Sequence, residues 1–118
     1  MEIDYAIVKR IDALDLSNTQ LFGWEKNKSR IKVERFAVAL SKGVCFPPIP
    51  VEELEDSYFL APNIVLDTGT IDGGHHRAIA HLIAGRLLPV VVLGSNLVSY
   101  SDKHNINIRD INLVDWIY

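Results

Sequence analysis

The chain of 118 residues is 48% hydrophobic and 23% charged, which excludes disorder and predicts one globular domain, residues 1–118, with a full core. A formal charge of −3 and a pI near 5.7 exclude a surface devoted to bulk nucleic acid, though not a local basic patch. Cys45 is the single cysteine, so neither an intramolecular disulfide nor an all-cysteine metal site can form. Glu2 and Asp4 stand where a leader would be basic, and no apolar run approaches the roughly 20 residues of a spanning helix. A cytoplasmic protein with no membrane association is the expectation.

Tyr5, Ile7 and Ile11 alternate in a way that predicts a strand over residues 4–11, followed by a short helical turn at residues 12–16. Residues 17–29 read as a polar loop whose Leu21, Phe22 and Trp24 are pinned to the core edge. The first firm helix covers residues 31–42, because Val33, Phe36, Ala37 and Leu40 recur at helical spacing and Gly43 follows as a C-cap. Pro47, Pro48 and Pro50 force extended backbone and predict an edge-like strand through Val51. A turn at residues 55–57 and a return strand at residues 58–60 follow. Residues 64–66 form a further candidate strand, closed by the turn-rich residues 67–70. A second helix begins after Gly74, with Ile79, Leu82 and Ile83 facing inward and Gly85 closing it. Residues 89–93 are continuously apolar and predict an interior strand. In the tail, Ile106 and Ile108 suggest one more strand, and Val114, Trp116 and Ile117 an anchored terminus.

The densest chemistry lies in Asp72, Gly73, Gly74, His75, His76 and Arg77, immediately before a helix-forming run. Glycines let a backbone approach an anion closely, and a guanidinium grips phosphate through parallel charge-assisted bonds. A helix N-terminus adds unpaired N–H groups and a favourable dipole. The competing reading is a glycine turn opening a helix, with two exposed histidines.

The order of elements, together with Pro47-Pro48-Ile49-Pro50-Val51, Tyr58-Phe59-Leu60, the glycine-histidine-arginine turn and Pro89-Val90-Val91-Val92-Leu93, resembles the ParB/sulfiredoxin superfamily. The resemblance is strongest over residues 46–93, with residues 61–70 as an insertion and residues 94–118 uncovered. It implies an α+β fold, a small mixed sheet packed with helices. The CTP-binding box of ParB-type partition proteins, Gly-Glu-Arg-Arg, aligns with Gly74-His75-His76-Arg77, which lacks the glutamate, so CTP hydrolysis is not implied. His75 takes the place of the sulfiredoxin cysteine, so sulfinic acid reduction is not implied either. The Asp-Gly-His-His-Arg of free serine kinases is closest, with one extra glycine here.

That likeness implies binding of a nucleoside di- or triphosphate (ATP, ADP or CTP) with phosphoryl transfer or nucleotide hydrolysis. Gly73, Gly74, His75, His76 and Arg77 would hold the phosphates. Asp72, through Mg2+ or as a base, and His76 would act on the transferring group. A glutamate near the first helix, Glu34 or else Glu25, would activate a small hydroxylated acceptor. The bland account of Asp72 is a capping or turn residue, and that of Glu34 a solvated helix face. The alternative function is a nucleotide-sensing regulatory module of plasmid, phage or chromosome biology that performs no catalysis. No room for a helix-turn-helix remains after Leu93, so sequence-specific DNA binding by this domain alone is not expected. A nuclease, the remote alternative, finds no carboxylate cluster to support it.

Other constellations are weaker. His75 and His76 are adjacent and His81 lies five residues beyond His76, so the spacing does not suit zinc. Asp67-Thr68-Gly69 resembles the catalytic turn of retroviral-type aspartic proteases, but the distance to Gly94 is too short for their flap and strands. Cys45 is expected as a small buried residue rather than a nucleophile, and Trp24 as a core anchor or a stacking surface.

Overall fold

The computed structural model describes residues 7–60, 74–93 and 106–117. They form a mixed α+β structure with eight strands, two helices and a short 3-10 turn. In chain order these are β1 (Ile7–Leu14), β2 (Gln20–Gly23), β3 (Asn27–Ser29), α1 (Arg30–Ser41), β4 (Ile49–Leu54), β5 (Ser57–Leu60), α2 (His75–Ile83), β6 (Leu88–Leu93), β7 (Ile106–Asn107), the 3-10 turn (Ile108–Asp110) and β8 (Asn112–Val114). Six strands build one sheet in the order β1-β6-β4-β5-β2-β7, while β3 and β8 pair in parallel as a second, two-stranded sheet. Within the large sheet β6 runs parallel to β4 and β2 parallel to β5, and the other neighbours are antiparallel.

The apolar run of β6 lies between β1 and β4, interior to the sheet as its composition predicts, with Leu88, Val90 and Val92 buried and Pro89 and Val91 half-buried. β4 is also interior, which corrects the edge-like expectation for the proline segment. Pro50 lies opposite Val91 of β6, between the pairs Ile49 with Val90 and Val51 with Val92. The turn to β5 passes through Glu55, whose φ of 56° is left-handed.

β1 continues to Leu14, so residues 12–14 belong to the strand rather than to a helical turn, and Leu14 pairs with Leu88. Long-range pairing with β6 outweighs a weak local preference. Residues 17–29 are likewise not one loop, because Gln20 to Phe22 pair with β5 and residues 27–29 with β8. Ser29 starts α1: its Oγ accepts from the N–H of Lys32 at 3.3 Å. Val33 and Leu40 are buried on the inner face of α1, with Phe36 and Ala37 packed at the core edge.

On α2, Ile79 faces inward as expected and Leu82 packs against the core, but Ile83 does not. Ile83 is 57% exposed, whereas His75, Arg77, Ala78, Ile79, Ala80 and His81 are buried. α2 packs against α1 and also meets β3, β6 and the 3-10 turn, so more than one side of this helix is covered. Trp116 is 70% exposed and anchors nothing; the terminus is tied by Arg30, which donates to Asp115 Oδ1 at 3.0 Å and to the Leu113 carbonyl at 2.8 Å. Cys45 is exposed rather than buried, since it follows the turn that ends α1. No helix of the described residues is long and apolar enough to cross a membrane. The expected strand at residues 64–66 and the Asp67-Thr68-Gly69 turn lie outside the described residues.

Candidate functional site

Gly74 is the residue on which the start of α2 turns. It is the N-cap, with φ of 79°, and a Cβ there would sit 2.5 Å from Ile49 Cγ2 and 3.5 Å from Leu60 Cδ2. The left-handed backbone and the close approach to β4 and β5 both demand glycine. No acidic residue lies in the first turn to offset the positive end of the helix dipole.

His75 turns inward and is 3% exposed. Its Nε2 accepts from the Trp24 N–H at 3.1 Å, and the two rings meet edge-on with centroids 4.2 Å apart. Accepting at Nε2 places the proton of the neutral ring on Nδ1. Gly23 lies directly against this imidazole: an added Cβ would overlap Nε2 and stand 2.7 Å from Cδ2. His75 therefore locks α2 to the end of β2, and Trp24 takes the core-edge role as its partner.

Arg77 is also 3% exposed, and its Nη1 donates to the Pro47 carbonyl at 3.1 Å, joining the first turn of α2 to the proline segment before β4. The carbonyl of Arg77 in turn receives His81 Nδ1 at 2.6 Å. His76, half-buried, lies between these two inward-facing neighbours in sequence. The structure thus brings Gly74, His75, His76 and Arg77 together in one turn, while the side chains of His75 and Arg77 serve contacts inside the fold. Glu34 lies on the exposed face of α1, and Glu25 is exposed and pairs with Lys28 at 3.1 Å. Asp72 and Gly73 lie outside the described residues.

Among the described residues no group of three or more His, Cys, Asp or Glu could hold a metal ion. Two buried titratable residues escaped the sequence reading. Glu52 is 5% exposed in β4, on the opposite side of the strand from Ile49 and Val51 by simple alternation. His81 is 4% exposed, and burial is the largest cause holding its pKa below the ordinary 6.5. Its place four residues after Arg77 and three after Ala78 is the signal that could have marked it as inward-facing. Comparison with protein-family models, with curated proteins and with solved structures finds no match to this chain.

Proposed function

We propose that the chain binds the phosphates of a nucleotide at the N-terminus of α2, in a fold of the ParB/sulfiredoxin type. The observation that carries this reading is the left-handed Gly74 cap, which opens α2 with no acidic residue in its first turn. Such a terminus favours an anion through backbone N–H groups and the dipole, by about 0.3–1 kcal/mol at an exposed site. The chain order of β1, α1, the proline-led β4, β5, α2 and β6 supports the fold assignment.

With His75 and Arg77 engaged inside the fold, the proposed binding relies on backbone donors, on His76 and on the field of the buried Arg77 charge. Gly73 would extend the cradle. Turnover, by phosphoryl transfer to a small hydroxylated acceptor or to water, would require Asp72 and a magnesium ion in addition. The exposed position of Glu34 favours the second reading, a nucleotide-sensing module without catalysis.

The test is isothermal titration with ATP, ADP and CTP in the presence of magnesium, alongside a labelled-nucleotide turnover assay with and without free serine. Saturable binding that weakens in His76→Ala, with the circular dichroism unchanged, is expected. Product formation would select the enzyme over the sensor, and no saturable binding of any of the three nucleotides would refute the site.

A further inference from the structure

Both helices end in the same way, and their ends frame one cavity. At α1 the Val44 N–H donates to the Ala39 carbonyl at 3.0 Å and the Gly43 N–H to Leu40 at 3.0 Å. At α2 the Arg86 N–H donates to the His81 carbonyl at 2.9 Å and the Gly85 N–H to Leu82 at 3.2 Å. Each is a Schellman turn on a left-handed glycine, with φ of 88° at Gly43 and 66° at Gly85. These bonds occupy terminal carbonyls that would otherwise repel an anion.

Between the two turns lies a cavity of about 420 Å³, within the range of roughly 300–1,000 Å³ usual for small-molecule sites. Leu40, Phe46, Leu87 and Pro89 give it apolar walls. Its polar members are His81, Arg86 and the exposed Cys45, and no carboxylate among the described residues lines it. His81 donates from Nδ1 to the Arg77 carbonyl at 2.6 Å, which fixes the tautomer and leaves Nε2 as an acceptor. That nitrogen has no hydrogen-bond partner among the described residues. Burial lowers the His81 pKa and so favours the neutral ring. Arg86 is exposed and forms no ion pair among the described residues. Asp15, the carboxylate of the adjacent smaller recess, is held by Ser17 and Asn18.

We propose that this cavity binds a small hydroxylated carboxylic acid with an apolar body, its hydroxyl donating to His81 Nε2, its carboxylate on Arg86, and its ring or chain against Phe46, Leu40 and Pro89. One cation at the rim suits a single carboxylate. An inorganic or nucleotide phosphate would leave the apolar walls uncovered. The site lies at the C-terminal end of α2 and does not rest on the phosphate reading of its N-terminus.

The probe is 4-hydroxybenzoate, titrated into 15N-labelled protein and followed by amide chemical shifts. Saturable shifts at Gly43, Cys45, Gly85 and Arg86, with Gly74 and His76 unmoved, are expected. 4-Methoxybenzoate, which lacks the donor, and 4-hydroxybenzamide, which lacks the charge, should each bind about tenfold more weakly. Arg86→Gln, at an exposed position, should weaken the acid by a similar factor with unchanged circular dichroism. The absence of saturable shifts, shifts centred on residues 74–77, binding of either analogue as tight as that of 4-hydroxybenzoate, or full affinity in Arg86→Gln would each overturn the proposal.

Discussion

Gly74→Ala isolates the physical demand at the start of α2. An L-residue held at φ of 79° costs about 1–2 kcal/mol relative to a right-handed backbone. The new Cβ would also stand 2.5 Å from Ile49 Cγ2, and Ile49 is 1% exposed in the middle of the core, so it has little room to give. Overpacking of this kind adds about 1–3 kcal/mol. Reduced freedom of the unfolded chain offsets about 0.4–1 kcal/mol. The expected net loss is about 2–4 kcal/mol, a large part of the roughly 5–15 kcal/mol that holds a domain folded. Gly85→Ala supplies the control, because φ is 66° there but a Cβ would meet nothing within 4 Å. It should lose only the backbone part, about 1 kcal/mol. Urea unfolding followed by tryptophan fluorescence and far-ultraviolet circular dichroism measures both. Adding Ile49→Ala should recover the steric part of the Gly74→Ala loss, so the double-mutant cycle should depart from additivity by more than about 0.5 kcal/mol. Equal losses at Gly74 and Gly85, together with an additive cycle, would refute the packing argument.

Three further outcomes are expected. Ser29→Ala should lose about 1–2 kcal/mol in the same urea assay, since a fully buried N-cap hydroxyl would vanish from the Lys32 N–H; a change within about 0.3 kcal/mol would count against the cap. The buried His81 has its pKa lowered in the folded state, so its contribution to stability is complete above the unfolded value near 6.5 and is lost as pH falls through the lower, folded value. Urea midpoints should therefore decline below about pH 6.5 in the parent and more gently in His81→Gln; parallel slopes would remove His81 from the acid response. Finally, Glu53 is held below its ordinary pKa first by the Tyr58 hydroxyl and then by Lys9, while the Tyr58 phenol is pushed up to about 12 chiefly by its bond to Glu53. Tyr58→Phe should raise the Glu53 pKa in a carboxylate-detected NMR titration, and an unmoved Glu53 would show that the phenol does not supply the shift.

Much of the architecture is legible in local pattern. The i, i+3, i+4, i+7 spacing of Val33, Phe36, Ala37 and Leu40 with Gly43 after it describes α1 to within one residue, and the unbroken apolar run of β6 marks an interior strand. The strand extension to Leu14 and the short β2 and β3 are not legible, because their hydrogen-bond partners in β6, β5 and β8 lie far along the chain. Pro50 misleads for a related reason: prolines usually mark an edge strand, and it is pairing with β6, far along the chain, that makes β4 interior. At the candidate site, glycine at position 74 and a helix after it follow from composition. That His75 and Arg77 point into the fold does not, since both types are usually found exposed.

The amino-acid sequence by itself determines the two helices, the interior strand β6 and the glycines that end α1 and α2, because those choices rest on side-chain periodicity and backbone freedom within a few residues. Only the tertiary structure decides which polar groups are taken up internally. Trp24 and Pro47 claim His75 and Arg77 through contacts spanning 51 and 30 residues. The same packing brings the ends of α1 and α2 together around His81 and Arg86. A side chain's chemistry is local, but whether it faces a ligand or a neighbour depends on strands and turns that no short window of sequence contains.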